Sequence, residues 1–285
     1  MKEQGDTSPE QISGSMDATE QSTTSSGAAR IDLLVDEHEE EVSENGHTVR
    51  HKGIYLLPNL FTTAALFAGF YAIIAAMRGD FENAAVAIFF AMFLDGLDGR
   101  IARLTNTSSK FGAEYDSLAD MVSFGVAPAL VMFSWGLGGL GKFGWSAAFV
   151  YVACAALRLA RFNMAPDTKI FYGLASPAAA GTMSTLVWIW VDNFPPMESV
   201  EVSVLVAIFT TVVAFLMVSN VKYFSPKHIK GRVPFPIMLV AVLLFIVVAV
   251  YPPGMLFCVG VAYGLSGPIQ ALLRLVRGKD NASEV

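Results

Sequence analysis

Cysteine and histidine are scarce in this 285-residue chain, which has two of the first and four of the second. Cys154 and Cys258 lie far apart, each inside an apolar run and without CxxC spacing. That excludes a disulfide framework and a thiolate metal site, and both read as small buried hydrophobes. His38, His47, His51 and His228 fall in polar segments and read as solvated. Charge is scarce too, at 15% of residues against about 25% in ordinary soluble chains. No nucleic-acid partner is expected. The opening Met-Lys-Glu-Gln-Gly has no apolar stretch before a small-residue cleavage site, so no secretory signal peptide is expected.

Apolar side chains are plentiful, at 54% of the chain, and they are unevenly spread. Residues 1–50 hold 3 basic and 12 acidic residues, a net charge of −9, and no long apolar run. Residues 51–285 hold 16 basic and 13 acidic residues, net +3, and nearly all the large apolar side chains. Two regions follow: an acidic, largely disordered tail over 1–48 and a membrane domain over 49–285. Residues 1–30 are too rich in Ser, Thr, Gly, Gln and Glu to offset ordering entropy by burial. Residues 31–45 read as a brief helix or a docking segment.

Eight apolar stretches follow, near 56–77, 82–104, 114–135, 144–164, 174–193, 201–222, 234–251 and 254–273. Each is long enough to span a hydrocarbon core. Runs of this length without strict alternation predict helices. The expected fold is therefore an all-α, polytopic membrane bundle of about eight transmembrane helices. Fifteen Lys and Arg fall on one side of that topology, and only Arg78 and Lys142 on the other. The asymmetry predicts that both termini are cytoplasmic. Trp135, Trp145, Trp188 and Trp190 read as an interfacial belt on the opposite side. The Lys222–Arg232 loop suits anionic headgroups and topology signalling equally.

One constellation carries chemistry. Asp95, Asp98, Gly99, Ala102 and Arg103 are spaced i, i+3, i+4, i+7 and i+8, one face of a helix. Gly112, Asp116 and Asp120 are spaced i, i+4 and i+8 on the next. A short loop can turn the two faces together. Ionised carboxylates at a membrane edge are costly and repel one another. Divalent cations remove both costs, and all-oxygen ligation suits Mg2+, Mn2+ or Ca2+. Four aspartates can bridge two such ions, an arrangement used in phosphoryl transfer. Gly99 and Gly112 leave room for a nucleotide, and Arg103 can pair with a phosphate. An ion or metal transporter is the rival from another class, since intramembrane acids also mark ion paths. The placement of all four at one end of their spans speaks against it.

These residues resemble a known family. DGLDGRIAR (95–103), eight residues, then GAEYDSLAD (112–120) is similar to the signature of the CDP-alcohol phosphotransferases. The stretches LLPNLFTTAALFAGF (56–70), ALRLARFN (156–163) and KIFYGLASPAAAG (169–181) resemble its bacterial phosphatidylserine synthase branch. Ala65 and Ala175 stand where relatives often carry Asn and Pro. The resemblance implies an integral enzyme of the bacterial inner membrane, with a cytoplasmic active site and often a homodimer. It joins CDP-diacylglycerol and L-serine to give phosphatidylserine and CMP. It further implies Asp95, Asp98 and Asp116 as ligands of two Mg2+ or Mn2+ ions. Asp120 is implied as ligand, general base or both, Gly99, Ala102 and Gly112 as lining the CDP site, and Arg103 as holding donor phosphate. Asn59 and Thr62 read equally as nucleotide contacts or as a helix start after Pro58. Arg158 and Arg161, three apart, suit the acceptor's carboxylate or simple anchoring. The same chemistry with glycerol 3-phosphate or an inositol phosphate is the rival acceptor reading.

Overall fold

The computed structural model describes residues 41–44, 47–50, 56–105, 110–164, 172–197, 199–221, 223 and 250–280. The chain divides into two units, residues 1–53 and 54–285. In the first, β1 (Glu41–Glu44) and β2 (His47–Arg50) form an antiparallel pair. Glu41 lies opposite Arg50, and Glu44 opposite His47. The two residues between the strands are Asn45-Gly46, the pair that most favours a two-residue hairpin link. With β-branched Val42, Thr48 and Val49 it favours a hairpin over the brief helix considered for this stretch.

The second unit is helical throughout its described elements. These are α1 (Leu56–Met77), α2 (Phe81–Thr105), α3 (Lys110–Asp120) and α4 (Ala127–Met132). They continue with α5 (Lys142–Met164), α6 (Ser176–Asn193), α7 (Val200–Val218) and α8 (Pro252–Asp280). A π-helical turn, Met121–Val126, runs straight from α3 into α4. A second, Phe133–Leu137, and a 3-10 turn, Gly138–Leu140, end that rod. By length and composition, five described stretches can cross a membrane: Pro58–Met77, Phe111–Leu140, Lys142–Met164, Val200–Val218 and Pro252–Leu273. Helix α2 is excluded by the same charges that make it interesting, and α6 is short and rich in Ser and Thr. The expected span 234–251 lies almost wholly outside the described residues.

Small side chains set the packing. Helices α1 and α2 form a hairpin closed by Asp80, whose carboxylate accepts from the Asn83 backbone N–H (3.4 Å), an N-cap, and from the Asn83 side-chain amide (2.8 Å). Their interface is built of Ala68, Ala72, Ala75 and Ala76 against Ala84, Ala87, Ile88 and Ala91, all buried. Within lipid there is little hydrophobic drive between helices, so close backbone approach is what stabilises such a pair. Helix α6 extends the theme with buried Ala179, Ala180, Gly181, Thr182, Ser184 and Thr185. Gly173, just before α6, has φ +80° and no space for a Cβ beside the Met217 carbonyl. Its N–H donates to Val221 O (2.9 Å), tying the start of α6 to the end of α7.

Two prolines strand backbone carbonyls, and a tyrosine answers each. Pro128 and Pro268 lack the N–H that would bond the carbonyl four residues back. Tyr151 Oη donates to Phe124 O at 3.0 Å, and Tyr223 Oη to Gly264 O at 2.9 Å. Two side-chain expectations fail. Trp135 is buried, edge-on to Trp190 at 6.0 Å, so it leaves the interfacial belt for the interior. Cys154 is buried but Cys258 is exposed, because α8 turns much of its surface outward.

Candidate active site

Helices α2 and α3 bring the acids together. Carboxylate oxygens of Asp95, Asp98 and Asp116 all lie within 4.8 Å of one another. The carboxyl of Asp120 is in hydrogen-bond contact with that of Asp95. The helical spacing read from sequence thus produces one cluster from two helices. Asp98 is buried, at 5% exposure.

The cluster is braced from α1. Thr62 Oγ1 donates to Asp98 Oδ2 at 2.8 Å, with the Pro58 carbonyl at 3.2 Å as its other acceptor. Of the two roles considered for Thr62, the structure adds a third: it orients an aspartate. Asn59 is half-buried one turn earlier, and its carbonyl accepts from Thr63 Oγ1 (2.7 Å). That bond uses the Thr63 proton, so Tyr115 is the donor in the 2.8 Å Tyr115–Thr63 contact. On its other side α3 meets α5, where Asn163 Nδ2 donates to Ser117 Oγ at 3.1 Å. Two hydrogen bonds therefore fix α3, and with it Asp116 and Asp120, between α1 and α5.

The remaining predicted residues separate. Gly99 and Gly112 are half-buried on the helices that carry the acids. Ala102 and Arg103 continue the helical face of α2, but their side chains lie outside the described residues. Arg158 is half-buried; its Nη1 donates to Ser176 Oγ at 2.9 Å, while its Nε is buried without a hydrogen-bond partner. Asp120, Tyr151 and Tyr263 are its charged and phenolic neighbours. Arg161 is exposed and lies 5.4 Å from the centroid of the Tyr172 ring. The sequence reading missed Ser176, Tyr115, Ser117 and Asn163 as supports. All four sit inside stretches already singled out, and nothing but their polar atoms marked them.

The donor set fits a divalent cation. Like charges at 4.8 Å repel by roughly 3 kcal/mol per pair at an effective dielectric constant of about 20. Asp116 Oδ1 is buried with no hydrogen-bond partner. An orphaned acceptor beside two further carboxylates is what an oxygen-ligating cation such as Mg2+, Mn2+ or Ca2+ would satisfy.

The family model described as CDP-alcohol phosphatidyltransferase matches residues 55–213. A CDP-diacylglycerol–serine O-phosphatidyltransferase of Helicobacter pylori is 38% identical over 196 residues, covering 68% of this chain and 81% of that protein. One from Bacillus subtilis is 34% identical over 169 residues, covering 59% and 89%. One from Methanocaldococcus jannaschii is 36% identical over 156 residues, covering 55% and 70%. The matched region contains the aspartate cluster, its α1 brace and the Arg158–Ser176 pair, and on these grounds the chain belongs to the CDP-alcohol phosphatidyltransferase family.

Proposed function

We propose that this membrane enzyme transfers the phosphatidyl group of CDP-diacylglycerol to L-serine, giving phosphatidylserine and CMP. The observation that carries the serine assignment is Arg158, beside relatives named for that acceptor. Its Nη1 is occupied by Ser176 while Nε is buried and free of partners. A carboxylate accepts from guanidinium N–H groups side by side, and serine brings one. Arg161, on the exposed side, steers the same carboxylate inward. Phosphorylated acceptors carry more charge than this pair would balance.

The family depends on divalent metal, and Asp95, Asp98 and Asp116 would hold it here, with Asp120 as a fourth ligand to a second ion. Mg2+ or Mn2+ bound there supplies charge neutralisation at the pyrophosphate and the departing CMP. Gly99, Ala102 and Gly112 line the CDP site, Arg103 pairs with donor phosphate, and Asn59 contacts the nucleotide. The serine hydroxyl attacks the phosphorus that bears the diacylglycerol, and the bond to CMP breaks. Asp120 accepts the hydroxyl proton. Thr62 keeps Asp98 turned inward while this happens. The site opens to the cytoplasmic face of the bacterial inner membrane, and the donor's acyl chains stay in lipid. Residues 49–285 form the catalytic domain, which pairs as a homodimer, and residues 1–48 are a tail. A transporter built on the same acids is not favoured by the family assignment.

Two measurements test the reading. An acceptor panel with labelled CDP-diacylglycerol should give lipid product with serine and none with glycerol 3-phosphate or inositol phosphate; the reverse pattern overturns the acceptor. Asp120→Asn should lower kcat by on the order of 10²–10⁴-fold in a folded protein. Near-normal turnover would end the general-base assignment.

A further inference from the structure

Asp120 stands immediately before a π-helical turn, and the residue that secures that turn has no role in the scheme above. In a regular helix the N–H of residue 128 would bond the Phe124 carbonyl, and proline has none to offer. Phe124 is 0% exposed, so water does not reach its carbonyl, and a buried carbonyl requires a donor. Within the turn the Ala127 N–H reaches back to Val122 O, five residues earlier. Tyr151, itself 0% exposed, supplies the missing donor from α5 at 3.0 Å. From the opposite side Ser123 Oγ donates to Ala65 O of α1 at 3.1 Å. Gly69 makes that approach feasible, because a Cβ there would lie 2.7 Å from Ser123 Cα.

These anchors connect to the chemistry at both ends. Ala65 is one turn along α1 from Thr62, which holds Asp98. Tyr151 is two turns along α5 from Arg158, on the same helical face. The turn that follows Asp120 is thus tied to the helix that braces a metal ligand and to the helix that carries the acceptor arginine. Irregular turns of this kind concentrate at functional sites.

We propose that Tyr151 is a positioning residue. By holding the Phe124 carbonyl it keeps the π turn wound, and so sets where the Asp120 carboxylate stands relative to Asp98 and Arg158. The inference rests on Asp120 acting as the base.

The test separates positioning from simple carbonyl satisfaction. Tyr151→Phe removes the donor. Pro128→Ala returns an N–H that can satisfy Phe124 within a regular α-helix. Each variant and the double variant are compared in lipid nanodiscs for Tm, kcat and both KM values. Tyr151→Phe should lower kcat by on the order of tenfold to a hundredfold, with KM for CDP-diacylglycerol changed less than about twofold. The double variant should regain Tm without regaining kcat, because the carbonyl is satisfied but the turn is lost. Recovery of both Tm and kcat in the double variant would overturn the proposal. So would wild-type kcat per folded molecule in Tyr151→Phe. An active Asp120→Asn enzyme would remove the base assignment and the inference with it, whereas recovery of kcat in the double variant would remove the positioning role and leave the base assignment standing, so the two failures are distinguishable.

Discussion

The two halves of the site are built on different plans. The acidic half comes from α2 and α3, where four carboxylates within 26 consecutive residues (95–120) meet through helical periodicity. The cationic half comes from α5 and α6, where Arg158 is held by Ser176 across the segment that joins two helices. The first half is fixed by spacing, and a single loop suffices to assemble it. The second depends on how α6 enters the bundle, through Gly173 at positive φ and its bond to the end of α7. A metal centre tolerates little displacement of its ligands, whereas a recognition arginine can be tuned by what lies around it. Under the function proposed above, the first half would hold the metal and the second would meet the acceptor.

Substitutions in each half should separate these plans. After Asp120→Asn, the largest effect is expected at Arg158→Lys, which keeps the charge and loses the planar fork. Serine KM should rise about 10- to 100-fold, the scale of one lost charge-assisted bond, with the metal requirement unchanged. A shift in metal requirement instead would merge the halves. Next is Thr62→Val, which removes the donor to Asp98 at nearly constant volume. The metal concentration for half-maximal activity should rise roughly tenfold while serine KM holds. Equal activity across a Mg2+ titration would remove Thr62 from the acidic half. The smallest effect is expected at Ala175→Pro. Ala175 has φ −62° and caps α6 without a side-chain bond, so proline fits its backbone. A gain of about 0.4–1 kcal/mol should appear as a slightly higher Tm with unchanged kinetics; a fall in Tm would show that the start of α6 needs the Ala175 N–H.

What was legible in the sequence follows the same division. Seven of the eight expected spans correspond to described helices, because runs of apolar residues report helix length directly. Asp95, Asp98, Asp116 and Asp120 were legible because helix geometry converts spacing into a face. Ser176 and Tyr115 were not, since a hydroxyl gains its role only from a partner on another helix. The π turn was invisible for a related reason: Pro128 marks a missing donor, but only the fold shows that Tyr151 replaces it. Trp135 and Cys258 were misplaced because composition does not reveal which face of an apolar helix packs inward. The Asn45-Gly46 pair, by contrast, was a readable hairpin signal that the acidic composition around it obscured.

The Tyr223–Gly264 bond carries a consequence for how the bundle is made. Pro268 leaves α8 with an unanswered carbonyl, and the donor that answers it belongs to a residue 41 positions earlier in the chain. Hydrocarbon offers no substitute, and an unmet carbonyl there costs several kcal/mol. The hydrogen bonding of α8 at this point is completed by Tyr223, so the fit of α8 depends on a residue outside it.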